Sequence, residues 1–457
     1  MSGSSGDASF TPSGPVAGSL TAPPDKSISH RAALLGAFGD GTTRVSRYLD
    51  SADTRSSLAA VSSLGAGVTI EETGDEALDV TIEGFGLRGA TPPGDGSAID
   101  VGNAGTLIRL ISGLLAGQPG GEFVLDGDES IRSRPMGRVV EPLASMGASV
   151  EATGDGLPPL RIEGRPLHAV HYEMPIASAQ VKSCLLLAGL LAEGRTTIAE
   201  KAETRDHTER MLLASGADVR VERRRPSLPT DPVGGTVGIQ GIQGVEGARG
   251  ISLPPMRVPG DISSAAFHLV AGLIVPGGDV RVDGVGINPT RIGLLGILNR
   301  MEAILEVEET GHDGGEPVGS IRTRHGVLRG THVVAAEVPP AIDELPLVGL
   351  LGCFAEGETR VSGAEELRHK ESDRIAGVVD ALNAIGGQAE ALPDGFVVTG
   401  TGGVTGGTVD SRGDHRLAML GAVAGLASRD GVDVVDFGAA RISYPGFERD
   451  IRSLLAR

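Results

Sequence analysis

The stretch NAGTLIRLISGLLAG, Asn103–Gly117, is polar over its first residues and apolar almost all round thereafter; a short strand-like run, GEFVLDGD, then opens on Gly121. A helix without a polar face has to be covered on every side. Its N-terminal end, with unpaired backbone N–H groups and the positive end of the helix dipole, favours anions. The same pair recurs along the chain. Apolar helices are read at SISHRAALLGAF (Ser27–Phe38), SAQVKSCLLLAGLLAEG (Ser178–Gly194), DISSAAFHLVAGLIV (Asp261–Val275), IDELPLVGLLGCFAEG (Ile342–Gly357) and DHRLAMLGAVAGLAS (Asp414–Ser428). Strand-like runs open at Gly41, Gly194, Gly278, Gly357 and Gly431. Their spacing, roughly 70 to 85 residues, is too long for a solenoid repeat and suits a unit of two helices and several strands.

The second helix of each unit is amphipathic. Met136, Val139, Val140, Leu143 and Met146 share one helical face, as do Ile375, Val378, Val379, Leu382 and Ile385. These helices run into glycine in SLGAGV, SMGASV, ASGADV and AIGGQA, which suits a left-handed C-cap. Six copies of one layout predict an α/β protein of two domains with three units each. The expected boundaries are a disordered leader over 1–16, an N-terminal domain over 21–257, and a C-terminal domain over 258–457 joined by 17–20, whose residues supply its first strand. The Pro- and Arg-rich run RRRPSLPTDPVGG, Arg223–Gly235, reads as a surface loop of the third unit.

The 457 residues carry a formal net charge of −19, which argues against nucleic acid or an anionic membrane as partner. Aromatic residues make up 3% and tryptophan is absent, so stacking on bases has little to work with. No apolar run is long enough to span a membrane, and no secretory signal opens the chain. Cys184 and Cys353 both lie in apolar helices, reading as buried reduced thiols in a cytoplasmic protein.

Lysine is scarce: Lys26, Lys182, Lys201 and Lys370 stand against nine times as many arginines. Where arginine is the default cation, a retained lysine points to a compact ammonium that can move a proton. Lys26 in PDKSISHR and Lys370 in ELRHKESDR are expected at matching helix starts of the repeat, although a solvated charged helix start would explain either alone. Arg134 precedes Pro135, an expected first helical residue. Arg205 and His207 precede the third amphipathic helix. Gly105 in NAGT allows close approach of an anion to the backbone, and Ser178 and Gln180 open the third apolar helix; an ordinary cap accounts for these equally. Together Lys26, Arg31, Arg134, Arg205, Lys370, Arg374 and Arg416 would suit a multiply charged anion, with Asp343 and Glu371 as candidate proton carriers. There is no HExxH, CxxC or Walker A spacing, so neither a metal nor a P-loop is expected.

PDKSISHR, GNAGT, RPMGR, SAQVKSCLLLAGL, TRDHTE, NPTR, IDELP, LRHKESDR, DHRLAM and SYPGF together resemble the 5-enolpyruvylshikimate-3-phosphate synthases, in the subgroup with SAQVKS and NPTR. The resemblance runs from Lys26 to Phe447. It implies the enolpyruvyl transferase fold: two similar domains of three βαβαββ units, helices buried among sheets, and substrates between the domains. It implies transfer of the enolpyruvyl group of phosphoenolpyruvate to the 5-hydroxyl of shikimate 3-phosphate with release of phosphate, in chorismate and aromatic amino-acid biosynthesis, without cofactor or metal. By the same resemblance Lys26, Ser27, Arg31, Ser178, Ala179, Gln180, Arg205, Asp343 and Lys370 hold shikimate 3-phosphate. Lys26, Gly105, Arg134, Gln180, Arg374 and Arg416 hold phosphoenolpyruvate, and Asp343, Glu371 and Lys26 are catalytic. A monomer is expected.

Two departures stand out. A basic residue common before the final SYPGF-like motif is here Ile442, with Arg441 one place earlier. Glyphosate-tolerant members of the subgroup carry alanine where this chain has Gly105, so a glyphosate-sensitive enzyme is expected. The alternatives are a UDP-N-acetylglucosamine enolpyruvyl transferase, disfavoured because both cysteines lie in apolar helices, and a non-catalytic repeat protein.

Overall fold

The computed structural model describes residues 6–12, 14–74, 76–223, 235–240 and 250–455. Six buried helices carry the architecture: α1 (Lys26–Ala37), α2 (Gly105–Ala116), α3 (Ala179–Gly189), α4 (Ile262–Ile274), α5 (Leu345–Phe354) and α6 (His415–Ala427). All thirteen residues of α4 are buried, as an apolar sequence with no polar stripe requires.

Five four-stranded sheets and one three-stranded sheet accompany these helices. The second unit shows the plan: Ile99–Asp100 pairs in parallel with Glu122–Asp126, which pairs antiparallel with Leu160–Glu163, which pairs antiparallel with Ser149–Glu151. With α2 and the helix Gly137–Ser145 between strands, this is a βαβαββ unit. The amphipathic helices bury most of the predicted faces: Met136, Val139, Leu143 and Met146 are inaccessible, as are Ile375, Val378, Leu382 and Ile385, and Val379 is buried, while Val140 is only partly covered. The glycines that end these helices, Gly65, Gly147, Gly216 and Gly386, all have positive φ, between 88° and 110°.

Three sheets take a strand from far along the chain. The first unit receives Met256–Arg257 in parallel with Val45–Ser46. The fourth receives Ala17–Thr21 in parallel with Asp279–Asp283. In the sixth, Ala8–Phe10 pairs antiparallel with Val432–Val434. This last pairing corrects the disordered leader expected over 1–16. The run is rich in Gly and Ser and shows no alternation, yet Phe10 is buried, its ring 5.0 Å from that of Phe437. Burying one such side chain contributes ~1.5–3 kcal/mol, and the ladder satisfies the backbone.

The chain separates into two compact lobes. One comprises Pro24–Val258 with His312–Glu316; the other comprises the described residues before Pro24 together with Pro259–Gly311 and the chain from Pro317 onward. Each has its own apolar core, the first running from Ile28 to Val258 and the second from Phe10 to Leu454. The loop expected over 223–235 falls almost entirely outside the described residues. Among the described residues no helix is long and apolar enough to cross a membrane.

Candidate active site

The expected residues fall into two groups, one in each lobe. In the first lobe the site is built on the starts of α1, α2 and α3. Asp25 caps α1 by accepting the Ile28 N–H at 2.9 Å, which fixes Lys26 and Ser27 in the first turn. Lys26 Nζ donates to Asp53 Oδ2 at 3.0 Å, from a helix start capped by Ser51. Burial works to raise the Asp53 carboxyl, but the adjacent Lys26 outweighs it and holds the group below its ordinary value. Arg31, one turn further along α1, is only 4% exposed. It donates from Nε to Thr208 Oγ1 at 2.7 Å, from Nη1 to the Ser27 carbonyl at 2.8 Å and from Nη2 to Ser183 Oγ at 2.9 Å. Burial lowers its pKa to about 10; Glu209, Asp25 and Glu316 support the charge, while Arg205 is near enough to oppose it.

Gly105 opens α2, whose preceding residue offers no side-chain cap. Arg109, one turn on, donates from Nη1 to the Gly105 carbonyl at 3.1 Å and to Gln180 Oε1 at 3.0 Å. Gln180 Nε2 in turn donates to Thr106 Oγ1 at 3.1 Å, tying the start of α3 to that of α2. Arg134 Nη2 donates to Asn103 Oδ1 at 2.9 Å and to Ser130 Oγ at 3.1 Å. A Cβ placed on Gly105 would stand 2.6 Å from Arg134 Nη1, so the missing side chain leaves room for that guanidinium. Ser178 is the N-cap of α3, accepting the Val181 N–H at 3.4 Å, with Ala179 and Gln180 following in the first turn.

In the second lobe Asp343 lies just before α5. Its Oδ1 is 3.5 Å from Arg374 Nη1 and 4.0 Å from Lys370 Nζ, and its Oδ2 is 3.6 Å from Arg416 Nη2. Three cations therefore surround one carboxylate. Arg374 is itself 1% exposed and donates from Nε to Asp414 Oδ2 at 2.8 Å and from Nη2 to Glu371 Oε2 at 2.5 Å. Glu371 is half-exposed. Desolvation works to raise its carboxyl, but Arg374 outweighs it, and the net shift is downward. His415, the first residue of α6, is pushed down to about 3 by burial, aided by Arg416 and Arg374, and is neutral. His415 Nδ1 and Arg416 Nε are buried without a hydrogen-bond partner.

The geometry differs from the sequence expectation in two places. Lys26 opens a buried helix, whereas Lys370 lies between a 3-10 turn (Glu365–His369) and the amphipathic helix Arg374–Ala384, so the two lysines do not occupy matching positions. Both clusters are polar runs before an apolar stretch, and the sequence pattern does not distinguish the two kinds of helix start. Pro135 is not the first helical residue either; the helix begins at Gly137. Ile442 ends a 3-10 turn and is 51% exposed, with Arg441 also exposed beside it.

Sequence reasoning passed over Asp53 and Arg109, and it noted Lys182 only as one of the four lysines. Arg109 had a signal: it lies four residues after Gly105 on an otherwise apolar helix, on the face of the helix start. Lys182 Nζ is 2.9 Å from Glu200 Oε1 and 2.6 Å from Glu209 Oε1, with all three side chains buried. It is a buried structural ion cluster, not a mobile proton carrier of the kind that lysine scarcity suggests. Cys184 and Cys353 are free and buried, and burial pushes both thiols up to about 12. Neither is a reactive thiolate.

Comparison with known proteins identifies the family. Residues 10–451 match the family described as EPSP synthase (3-phosphoshikimate 1-carboxyvinyltransferase). The chain is 45% identical to the 3-phosphoshikimate 1-carboxyvinyltransferase of Alkalilimnicola ehrlichii over 437 residues, covering 95% of this chain and 93% of that one. It is 46% identical to the enzyme of the same name from Nitrosococcus oceani, with the same coverage. Among solved structures, EPSP synthase from Acinetobacter baumannii superposes with a TM-score of 0.85 at 39% identity, covering 98% of both chains. The enolpyruvyl transferase NikO from Streptomyces tendae shares the fold, with a TM-score of 0.71 at 17% identity over 98% of this chain and 96% of that one. The chain belongs to the EPSP synthase family, the 3-phosphoshikimate 1-carboxyvinyltransferases.

Proposed function

We propose specific residue roles for the family's reaction, the transfer of the enolpyruvyl group of phosphoenolpyruvate to the 5-hydroxyl of shikimate 3-phosphate with release of phosphate. Asp343 takes the proton of the 5-hydroxyl as that oxygen attacks C2 of phosphoenolpyruvate. Glu371 or Lys26 delivers a proton to the methylene carbon, C3; the tetrahedral adduct then loses phosphate from C2 as C3 returns a proton to that group, which restores the C2–C3 double bond. Lys26, Ser27, Arg31, Ser178, Ala179, Gln180, Arg205, Asp343 and Lys370 bind shikimate 3-phosphate. Lys26, Gly105, Arg134, Gln180, Arg374 and Arg416 bind phosphoenolpyruvate. The two substrates bring about six negative charges, counting two phosphates and two carboxylates, and seven cations answer them.

The observation that carries this reading is Asp343 within 3.5–4.0 Å of Arg374, Arg416 and Lys370. Cations so placed stabilise charge that develops on the intermediate. Arg374 is now satisfied by Asp343, Glu371 and Asp414. An anionic group of phosphoenolpyruvate would compete for that guanidinium, and Glu371, released from it, would rise toward the range in which it carries a proton.

Phosphate release measured with both substrates tests the assignment. The native enzyme should release phosphate only when both are present, and Lys26→Ala and Asp343→Asn should each lose most of kcat; full activity in Asp343→Asn would refute the base. The enzyme is further proposed to be a cytoplasmic monomer, which size-exclusion chromatography at working concentration checks for the oligomeric state.

A further inference from the structure

Arg31 reaches the ligand-binding role proposed above only if its guanidinium is held in one orientation, and two hydroxyl groups from distant parts of the chain hold it. Thr208 comes from the helix His207–Ala214 and Ser183 from α3. Thr208 Oγ1 accepts from Arg31 Nε at 2.7 Å, Ser183 Oγ accepts from Arg31 Nη2 at 2.9 Å, and Thr208 Oγ1 donates to Ser183 Oγ at 2.7 Å. All three side chains are buried.

Donor counting shows what this achieves. A guanidinium has five N–H bonds in a fixed plane. Thr208, Ser183 and the Ser27 carbonyl take three of them, from Nε, Nη2 and Nη1. One N–H remains on each Nη, and such a pair can grip two oxygens of a carboxylate or phosphate at once. We propose that Thr208 and Ser183 form a hydroxyl clamp that positions Arg31 for bidentate capture of an anionic group of shikimate 3-phosphate. The inference rests on the reading of Arg31 as a shikimate 3-phosphate ligand. Glu209, which follows Thr208 and is ion-paired with Lys182, supports the buried Arg31 charge from the same helix.

Calorimetric titration of the full-length enzyme with shikimate 3-phosphate tests the clamp. Thr208→Val keeps the shape and removes the acceptor, and affinity should fall about tenfold, the effect of losing a hydrogen bond to a charged group. Ser183→Ala should act in the same direction, and the double variant should lose less than the product of the two, because each single change already opens the clamp. Thr208→Ser should restore binding. Initial rates should show the loss in KM for shikimate 3-phosphate, with kcat at saturation and KM for phosphoenolpyruvate held within about twofold. A purely structural role would instead lower the melting temperature and kcat together.

Native-like affinity in Thr208→Val, alongside weakened binding in Arg31→Ala, would overturn the clamp and leave the ligand reading intact. Native-like affinity in Arg31→Ala would overturn the ligand reading and the clamp with it. If Thr208→Val does not fold, Ser183→Ala, which removes one oxygen, decides the question by the same criteria.

Discussion

Adding a single methyl group at Gly105 provides a quantitative test of the phosphoenolpyruvate binding proposed for Gly105 and Arg134. The ideal Cβ would lie 2.6 Å from Arg134 Nη1 and 3.1 Å from Arg109 Nη1. The Arg134 guanidinium must retreat by roughly 0.8 Å to reach ordinary van der Waals distance. It is the far end of a flexible side chain, so the strain is relieved by moving it, at the expense of its bonds to Asn103 and Ser130. Gly105 does not have positive φ, so alanine fits the backbone, and helix propensity changes stability by no more than about 1 kcal/mol. The cost should therefore appear in binding. Losing one charge-assisted hydrogen bond to the ligand costs ~1.5–3 kcal/mol, which corresponds to a roughly ten- to 150-fold rise in KM for phosphoenolpyruvate.

Initial rates with phosphoenolpyruvate varied at saturating shikimate 3-phosphate measure this, with a thermal melt as control. Gly105→Ala should keep the melting temperature and the KM for shikimate 3-phosphate, because Lys26, Ser27 and Ser178 are untouched. The glyphosate inhibition constant should rise alongside KM, in keeping with a sensitive wild-type enzyme. An unchanged KM for phosphoenolpyruvate would show that Arg134 does not bind it where the geometry suggests. A lowered melting temperature with a matching loss of kcat would show that the methyl group is a folding defect instead.

Other expectations follow from the buried charges. Glu371→Gln keeps an acceptor for Arg374 but cannot deliver a proton, so kcat should fall about a hundredfold or more with KM for phosphoenolpyruvate nearly unchanged. Lys182→Met leaves Glu200 and Glu209 buried without their cation, and urea titration should show a loss of ~3–5 kcal/mol. His30, His268 and His415 are held neutral by burial, with pKa values lowered to about 3, 4 and 3. Between those values and about 6.5 the unfolded chain binds more protons, so stability is full above about pH 6.5 and falls as pH drops. The slope approaches ~1.4 kcal/mol per pH unit for each histidine. Urea midpoints at neutral and mildly acidic pH check this, and His30→Gln should flatten the decline.

The repeat was legible because its signal is local. A helix such as Ile262–Ile274 that offers no polar face declares its burial, and a glycine-ended amphipathic helix declares its cap. The apolar stripes of Gly137–Ser145 and Arg374–Ala384 were legible for the same reason, with only Val140 less covered than expected. Charge carries no such signal about burial. Lys26 and Lys182 are both lysines near the start of an apolar helix, yet one is half-buried on Asp53 and the other is sealed between two glutamates. The difference is made by Asp53, Glu200 and Glu209, which lie 27, 18 and 27 positions away in sequence. Long-range pairing is equally silent: Ala8–Phe10 looks like part of a loose leader until Val432–Val434 is beside it.

The borrowed strands explain why the units cannot be cut out of the sequence as written. Each parallel edge strand comes before its buried helix, and in the first and fourth units the nearest preceding segment is committed elsewhere. Ala17–Thr21 precedes α1 in the chain, yet it completes the sheet of α4; Met256–Arg257 precedes α4, yet it completes the sheet of α1. The two segments have exchanged places. Sequence order thus predicts how many units exist and what each contains; the expected join of 17–20 to the second domain names one of the exchanged strands, and Met256–Arg257 is the one it leaves open. Backbone hydrogen bonding settles that. The exchange also bears on the chemistry, because the chain leaves Ala17–Thr21 in one lobe and within five residues delivers Lys26 at the start of α1 in the other. Lys26 thus follows closely on the ladder to Asp279–Asp283 in one lobe and sits behind the Asp25 cap at its own helix start in the other. The Asp25 cap fixes the first turn that carries the ammonium, as the role proposed for Lys26 with both substrates requires.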